Sequence, residues 1–448
     1  MPYEGEFASY RSINRITQTD RVKHLLTKAR VIAPDTQAVT LTPKDAPPAT
    51  TSTPSFVVAI DGSYAEVPVK NGYPGAHVGY VTVASVLLNL VELDRLDEQR
   101  PINPAEFRKT EQAATVDAAL PGSNVVTRDH KSARAAFRES VFEVFHDAVV
   151  DADDPRTLLD TYNHLLQFKP QNNPQSCPYD GCDQEFAIEP RTNSCTCELK
   201  RRIYSTDALR IHERFNAVGS NGEAFGLVMQ IWERILLIHL LRCFEKRNWL
   251  EGLGKLAFFV DGPLGVFGPP AWLSAAISKE LKRLNLIVRQ KTGNDIVIVG
   301  IEKTGAFVGH FDEIDQSETA GTARFHPRSF LLLTDSYIKQ RISLSDSDRR
   351  YGQDTYFGRK FFYKTAAGSR IVASIPFLTD EQDTLDSDDS ALYPQFGNVC
   401  ATLDSLVSSR YPNSLSPIIS AHGHAAIPLH LGAKVLQQLA QALMNRTK

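Results

Sequence analysis

The chain has 448 residues, 42% of them hydrophobic and 23% charged, which is enough for a sizeable core in one large domain with insertions or in two ordinary domains. Its formal net charge of −3 excludes a protein that coats nucleic acid nonspecifically, because such binding depends on many contacts from Lys and Arg to phosphate, but it permits a local basic channel. The N-terminal sequence lacks the apolar segment of a secretory signal, and the longest strongly apolar stretch, around Ile235 to Leu241, is shorter than the ~20 residues of a membrane span. We therefore expect neither export nor membrane anchoring.

The first part of the chain is predicted to form an arm and a linker. A short basic helical arm lies near residues 21–30, and residues 34–55 are rich in Pro, Thr and Ser, which is typical of a loop. The pattern then changes. The run FVVAI predicts a buried strand that ends at Asp61, and DGS predicts a turn. The segments YAEVPV and AHVGYVTVASVLL predict further extended structure. We therefore divide the chain into an arm and linker over 1–55 and one large domain over 56–448.

Helical patterns alternate with strands through the rest of the chain. A polar stretch over 171–205 carries four cysteines and is predicted to be an inserted module. The longest predicted helix runs from Asn221 to about Trp249, because Ser220 and Glu223 form a capping box ahead of apolar residues at helical spacing. The other predicted elements are helices over 132–149, 155–167 and 271–284 and from Leu429, strands in KLAFFVDGPLG, DIVIVGIEKTG, RKFFYKT and RIVASIPF, and a mixed segment in LLLTDSYIKQRI. This alternation predicts an α/β fold.

Two aspartates directly follow buried-strand runs. Asp61 and Asp261 each precede a glycine, and both are expected to project from the carboxyl ends of strands, where α/β sheets place their ligands. An Asp-Gly pair is also a common turn, which is the alternative for either residue taken singly. The occurrence of two such strand ends favours a shared site.

A third acidic residue, Glu233, lies within the long predicted helix. The residues three and four positions from it are mostly apolar, and a carboxylate in such a place must be paired, hydrogen-bonded or metal-bound. The alternative is a partly exposed Glu paired with a basic neighbour. Three carboxylate ligands suit Mg²⁺ or Mn²⁺, and converging carboxylates with such ions most naturally serve phosphodiester hydrolysis.

Residues near other predicted strand ends are further candidates. His422 follows an apolar, strand-like run, a position suited to a metal ligand or a general acid or base, and His424 and His430 are close by. Lys303 follows the strand in VGIEKTG and is a candidate for contact with a substrate phosphate. Asp335 follows LLLT and is either an additional acidic ligand or, as we favour, a helix cap. The alternatives are a core or surface role for an isolated His and a solvated role for a lone Lys.

The order of these motifs resembles that of the NurA nuclease family. It comprises an apolar strand with DGS, a long helix bearing Glu, an apolar strand with DG, a strand with GI-x-KT, paired strands ending in Pro, and a late apolar run with AH followed by A-x-I, over roughly residues 56 to 440. The resemblance implies an RNase H-like mixed sheet flanked by helices. It also implies a Mn²⁺-dependent nuclease that cleaves single-stranded DNA and duplex ends, forms a homodimer and acts with the hexameric ATPase HerA.

The resemblance also assigns roles to residues of this chain. Asp61 and Asp261 match the two metal-binding aspartates, His422 matches the late His, and Glu233 matches the helix Glu. Three other glutamates lie on or near the same helix: Glu223, Glu245 and Glu251. The first of these has the capping role, and the other two sit beside solvent-type residues.

The inserted module carries a second candidate metal site, which departs from the simpler family members. Its four cysteines are Cys177, Cys182, Cys195 and Cys197. Four thiolates in so short a polar segment predict a structural zinc site, although the single residue between the last two makes His212 an alternative ligand and leaves unligated thiols as the other alternative. Cys243 and Cys400 lie in apolar contexts and are predicted to be core residues. This cysteine usage suits a reducing compartment, so we expect a cytoplasmic protein.

The main functional prediction is therefore a Mn²⁺- or Mg²⁺-dependent deoxyribonuclease, acting with a HerA-type ATPase in DNA end processing and repair or in defence against phage. The alternative is a non-catalytic subunit that binds DNA or a partner. The two differ in whether Asp61, Glu233 and Asp261 converge within roughly 4 to 6 Å. An ATPase is poorly supported, because the sequence has no G-x-x-x-x-G-K-[ST] phosphate loop.

Overall fold

The computed structural model describes residues 10–29, 42–50, 53–70, 75–93, 111–129, 132–151, 154–170, 174–186, 188–190, 193–316, 324–407, 415–427 and 431–446, and the structural statements that follow concern these residues. The helices are α1 Arg11–Gln18, α2 Asp20–Lys28, α3 Leu90–Leu93, α4 Ala133–Asp147, α5 Leu158–Leu166, α6 Gly222–Lys246, α7 Trp272–Thr292, α8 Ala306–Ile314, α9 Asp335–Arg341, α10 Phe396–Leu406, α11 Ser416–Ala425 and α12 Leu431–Arg446.

The strands divide into one large sheet and three short hairpins. The strands of the large sheet are β1 Lys44–Asp45, β2 Phe56–Lys70, β3 Ala76–Asn89, β4 Glu111–Pro121, β11 Leu256–Asp261, β12 Val297–Glu302, β13 Ser329–Leu332, β14 Gly358–Lys364 and β15 Arg370–Pro376. The hairpin strands are β5 Val149–Asp151, β6 Asp154–Thr157, β7 Gln175–Ser176, β8 Glu185–Phe186, β9 Asn193–Ser194 and β10 Arg202–Ile203.

The large sheet has the order β1-β13-β14-β15-β12-β11-β2-β3-β4. Within it β2 pairs with β11 and β11 with β12 in parallel, whereas β2, β3 and β4 pair antiparallel. The sheet is therefore mixed. On one side of β2, the strands β11 and β12 run parallel to it, and on the other side β3 and β4 pair antiparallel. This confirms the predicted α/β fold with a large mixed sheet flanked by helices.

Helices cover both faces of the sheet because the central strands are apolar on both faces. Val58 and Ile60 of β2 pack into a core with α4, α5, α6 and α7, and the alternating residues Val57 and Ala59 pack into a second core with α10 and α11. By length and composition α6 would pass as a membrane span, but 72% of its most apolar window is buried in the fold. It is the central helix of the first core.

The strand β2 runs further than the sequence pattern predicts. It continues without a turn through Asp61, which pairs with Ala84, and on to Lys70. The predicted strand end at Asp61 and the predicted DGS turn are therefore wrong. The cause is β3, a long antiparallel partner whose ladder outweighs the local turn preference of Asp-Gly-Ser.

Three other local predictions also need correction. The run before His422 is not a strand but the helix α11, which has Pro417 in its first turn. The cap of α6 is Asn221, and the predicted capping box is absent, because the Ser220 hydroxyl donates to Glu66 and Glu223 pairs with a neighbouring arginine. The linker predicted as a loop contains the short strand β1, while residues 34–41 lie outside the described residues.

Candidate functional site

The two aspartates lie side by side because β11 pairs in parallel with β2. The register places Val260 opposite Ile60, so the next residues, Asp261 and Asp61, come together at the point where β11 ends. Beyond this point β11 turns away through Gly262, which has a φ of 76° that favours glycine, whereas β2 continues. Asp261 therefore projects from a strand end, and Asp61 projects from the middle of the neighbouring strand.

Two cationic or titratable side chains contact these aspartates. Lys303, just after β12, places its Nζ 2.7 Å from Asp261 Oδ1 and 3.8 Å from Asp61 Oδ2. His422 of α11 places its Nδ1 3.1 Å from the same Asp61 oxygen. The second oxygen, Asp61 Oδ1, accepts a hydrogen bond of 2.8 Å from the backbone N–H of Gly62.

Glu233 approaches β2 from the opposite face of the sheet, and Gly62 makes this approach possible. A Cβ at position 62 would lie 2.8 Å from Glu233 Oε1 and 2.6 Å from Met229 Cγ, closer than non-bonded atoms normally come. The absence of a side chain at Gly62 thus lets the carboxylate of α6 lie against the strand that carries Asp61. We call Asp61, Glu233 and Asp261 the carboxylate site.

Burial and mutual repulsion shape the electrostatics of the carboxylate site. The pKa of Asp61 is raised to about 6, first by burial and then by the charge of Asp261, against the lowering effects of Lys303 and His422. The pKa of Glu233 is raised to about 8, chiefly by burial; Arg234 opposes the shift, and both aspartates add to it. Burial and the neighbouring negative charge therefore disfavour the ionised forms of Asp61 and Glu233.

These properties fit a bound divalent cation. Asp261 Oδ1 is buried and, among the described residues, takes part in no hydrogen bond of regular geometry, although it faces the ammonium group of Lys303. The ligand atoms are all carboxylate oxygens, which Mg²⁺ and Mn²⁺ prefer, and a cation would offset the repulsion between them. The carboxylate site therefore fits such an ion in both donor type and charge.

Arg234 is a residue of this site that sequence reasoning did not identify. It is buried, its Nη1 lies 3.2 Å from Glu233 Oε2, and it donates hydrogen bonds of 3.0 and 3.1 Å to the carbonyls of Asp261 and Pro263. It donates a third, of 3.3 Å, to the carbonyl of Gly265. Arg234 therefore holds the turn after β11 against α6. The available signal was an Arg adjacent to a Glu in the middle of an otherwise apolar helix.

The other acidic candidates lie elsewhere. Glu223 is exposed, and Glu245 pairs with an arginine of α7 at 2.6 Å. Asp335 is the first residue of α9, where its side chain accepts a hydrogen bond from the N–H of Tyr351; the side-chain cap of this helix is Thr334. The prediction that Asp335 is the cap is therefore wrong by one position.

The remaining histidine candidates are His424 and His430. His424 lies exposed on α11, two positions beyond His422, and His430 lies outside the described residues. Cys243 and Cys400 are buried, as predicted.

The cysteines converge on two short hairpins. Cys177 and Cys182 lie in the turn between β7 and β8, and Cys195 and Cys197 lie in the turn between β9 and β10. The sulfurs of Cys177, Cys182 and Cys195 all lie within 4.8 Å of one another, and those of Cys182 and Cys195 are 3.6 Å apart. We call the described residues between 174 and 204 the cysteine module.

The fourth cysteine and the histidine differ in their relation to this group. The backbone N–H of Cys197 lies 3.5 Å from the sulfur of Cys195. The pKa of Cys197 is lowered to about 7, first by a hydrogen bond from the backbone of Arg201 and then by Cys195. His212 instead places its Nδ1 3.9 Å from Asp207 Oδ1. Among the described residues, the compact thiol group contains cysteines and not His212.

A buried arginine joins the cysteine module to the large domain. Arg138 of α4 makes two hydrogen bonds, of 2.7 and 2.6 Å, to the carboxylate of Asp207. Its guanidinium lies 4.3 Å from the ring centre of Tyr179, whose hydroxyl donates to the carbonyl of Arg202 in the second hairpin. Arg138 therefore contacts both hairpins of the module, directly or through Tyr179.

Comparison with known proteins gives one family. Residues 56–427 match the family model described as the NurA domain, and this region contains the carboxylate site, Lys303 and His422. The crystal structure of the NurA nuclease from Sulfolobus solfataricus is similar at 11% sequence identity and a TM-score of 0.33, with 98% of this chain and 93% of that chain covered. None of the curated proteins matches the chain.

Proposed function

Because the chain belongs to the NurA family, we propose that it is a metal-dependent DNA nuclease that hydrolyses phosphodiester bonds at the carboxylate site. The observation that carries the proposal is the placement of Asp61 and Asp261 side by side on β2 and β11, with Lys303 in contact with both aspartates and Glu233 against β2 at Gly62. This arrangement favours an enzyme over a subunit that only binds DNA or a partner.

The residues divide the work of hydrolysis between them. The carboxylate site would hold Mg²⁺ or Mn²⁺, which when bound activates water and stabilises the leaving oxygen. Arg234 orients Glu233 and fixes the turn that carries Asp261. Lys303, which neutralises the aspartates, is placed to contact a phosphate oxygen. His422 is more than half exposed beside Asp61 and serves as a general acid or base.

Cleavage assays with controlled metal content test the proposal. Wild-type protein should cut single-stranded and blunt duplex DNA with Mn²⁺ or Mg²⁺ and lose this activity in EDTA. Asp61→Asn removes a charged ligand with little change in volume, so cleavage should disappear while thermal unfolding stays near wild type. Wild-type cleavage by Asp61→Asn would contradict the proposal.

We propose that the cysteine module holds one structural Zn²⁺. Three mutually close sulfurs and the adjacent Cys197 offer a closed set of thiolates, which leaves no open position for a substrate. Elemental analysis of protein prepared without chelator should give about one zinc per chain. A protein free of zinc would return the cysteines to the role of unligated thiols.

We also propose that a HerA-type hexameric ATPase delivers DNA to a homodimer of this chain. Support comes from the family and from the net charge of −3, which provides no broad basic surface to hold duplex DNA. The chain alone should bind DNA weakly and with strong salt dependence, and cleavage should rise in a complex that hydrolyses ATP. Such an assembly suits cytoplasmic DNA end processing or defence against phage. A monomer that ignores a cognate motor would refute the assembly and leave the nuclease proposal intact.

A further inference from the structure

The space beside β2, next to the carboxylate site, is bordered by an aromatic residue of β2 and by the loop after β11. In the described part of the chain, β11 pairs with β2 only as far as Ile60, whereas β2 runs on to Lys70. Tyr64 lies on this continuation, and Phe267 lies in the loop that follows β11. Both side chains are at least partly exposed. No strand among the described residues fills the space between them.

The floor of this space is a strip of α6 that leads to Glu233. We call this strip the α6 groove; it consists of the partly exposed residues Gly226, Leu227, Met229 and Gln230. The Gln230 side chain accepts a hydrogen bond of 3.2 Å from the backbone N–H of Phe267, which ties the loop to one flank of the helix. Tyr64 lies on the other flank. Gly226 is seven residues before Glu233, or about 10 Å along the helix axis.

The ring of Tyr64 lies against α6 at two glycines of the helix, Gly222 and Gly226. A Cβ at Gly226 would lie 3.3 Å from Tyr64 Cε1, and one at Gly222 would lie 3.7 Å from the same ring. The ring is nevertheless 43% exposed. The ring is therefore partly covered by the helix and partly open to solvent.

The chemistry of the groove suits nucleobases better than phosphates. Its floor is apolar apart from one amide, and it carries no Lys or Arg. At its outer end the carboxylate of Glu66 accepts hydrogen bonds from the Ser220 hydroxyl and the N–H of Asn221. An aromatic ring that is open to solvent can stack a base without regard to sequence, whereas inside a duplex both faces of each base are already covered by its stacked neighbours.

We propose that Tyr64 stacks a base of single-stranded DNA one or two nucleotides from the phosphate at the carboxylate site. This inference rests on the proposed nuclease function and gives its substrate a specific form, an unpaired strand whose bases enter the α6 groove. The loop at Phe267, whose ring packs edge-on against Tyr356 with 5.4 Å between the ring centres, borders the same groove. Duplex DNA must open at its end before it reaches the site.

The test uses single-stranded oligonucleotides in which one abasic position is moved stepwise along the strand. With wild-type protein, one abasic position close to the cleaved bond should raise KM about tenfold or more, with little change in kcat. Tyr64→Ala should have this higher KM on every oligonucleotide and should no longer respond to the abasic position. Tyr64→Phe keeps the ring and should behave as wild type.

A matched control and a binding assay separate the possible failures. Trp249, 55% exposed just beyond the far end of α6, is the control, and Trp249→Ala should keep the abasic response. If Tyr64→Ala lowers kcat on all substrates but keeps that response, its role is structural and the inference is overturned. If wild-type protein does not cleave, the proposed function fails, and quenching of a 2-aminopurine oligonucleotide that is lost in Tyr64→Ala would still support the stacking site.

Discussion

The carboxylate site and the cysteine module both fit metal ions, but they are assembled in opposite ways. The carboxylate site joins residues far apart in the sequence: Asp61 contacts His422, 361 positions later, and the parallel pairing of β2 with β11 sets the two aspartates side by side. The cysteine module takes its ligands from two adjacent hairpins of two-residue strands. The first site depends on the whole fold, whereas the second has little structure of its own without a metal.

The two sites also differ in access and in charge. Beside the aspartates, the side chains of Lys303 and His422 are 30% and 58% exposed, so a substrate can reach them. Thiolates that complete a tetrahedral shell leave no place for substrate. An open oxygen site on a rigid sheet suits catalysis, and a closed sulfur site on small hairpins suits structure.

The largest expected effect is a separation of function between the sites. Asp261→Asn should lower cleavage at least about 100-fold, because losing a direct metal ligand costs more than losing one of its hydrogen-bond partners, and should leave zinc content unchanged. Cys195→Ser should release the zinc and lower thermal stability, while the protein that remains folded keeps its cleavage rate. Metal analysis and kcat measured on the same samples check both.

The contrary result is informative in each case. Loss of zinc in Asp261→Asn would mean that the carboxylates and thiols share an ion or a folding unit. If the fraction of Cys195→Ser protein that remains folded has a lower kcat than wild type, the cysteine module is part of the catalytic machinery.

A second comparison uses the buried arginine at each site. Above about pH 8, where Glu233 is ionised, Arg234→Met leaves this buried carboxylate without its ion-pair partner and should lower the free energy of unfolding by about 3–5 kcal/mol. Arg138→Met removes the partner of Asp207 and should loosen the module without abolishing cleavage. Denaturant melts, with limited proteolysis of the module, distinguish the two.

A double variant provides the control for this comparison. Adding Glu233→Gln to Arg234→Met removes the unpaired charge and should restore part of the lost stability. If the double variant is no more stable than Arg234→Met, the cost arises from the lost hydrogen bonds to the loop carbonyls.

The two sites should respond to pH in opposite directions. The pKa of Glu233 is raised from 4.5 to about 8 by burial, so the folded state binds an extra proton in that range. In metal-free protein, the contribution of Glu233 to the free energy of unfolding is therefore fully present below pH 4.5. This contribution, on the order of a few kcal/mol, is lost as the pH rises through about 8. Asp61, whose pKa is raised to about 6 by burial, adds to the same trend.

Thermal melts in EDTA between pH 5 and 9 check this trend, with Glu233→Gln as the variant that should flatten it. The cysteine module should show the reverse, because protons compete with zinc for thiolates and metal is lost as the pH falls. If the melting temperature of wild-type protein in EDTA rises from pH 5 to 8, this result would contradict the raised pKa of Glu233.

The same contrast explains what could be predicted from the sequence. The cysteines were identified directly, because their spacing is local and thiols have few other uses in a polar segment. The carboxylate site was identified because Asp61 and Asp261 each follow an apolar run that predicts a strand. What brings them together, the parallel register of β2 and β11, is a property of the sheet and has no local signal.

The errors have the same origin. The turn at DGS and the strand before His422 were assigned from local preference, and tertiary pairing with β3 or packing onto the sheet gives the other structure. Arg234 was missed because its role depends on carbonyls of a loop about 30 positions later. His422 still contacts Asp61, because a helix crossing the sheet can present a side chain to the same point as a strand end.

The smallest effect concerns the contact that joins α6 to β2. Gly62→Ala introduces a Cβ 2.8 Å from Glu233 Oε1 and 2.6 Å from Met229 Cγ, so the helix carboxylate must move away from the aspartates. Overpacking of this kind should lower stability by about 1–3 kcal/mol, and displacing Glu233 by a fraction of an ångström should lower kcat on the order of 10- to 100-fold. Gly309→Ala is the matched control: it lies within α8 with no atom within 4 Å of the added Cβ, so it should be neutral or slightly stabilising. Zinc content should stay at one per chain in both variants, because neither touches the cysteine module. If Gly62→Ala keeps wild-type kcat and melting temperature, Glu233 does not lie against β2 in the active protein, and the helix ligand of the carboxylate site must be another residue.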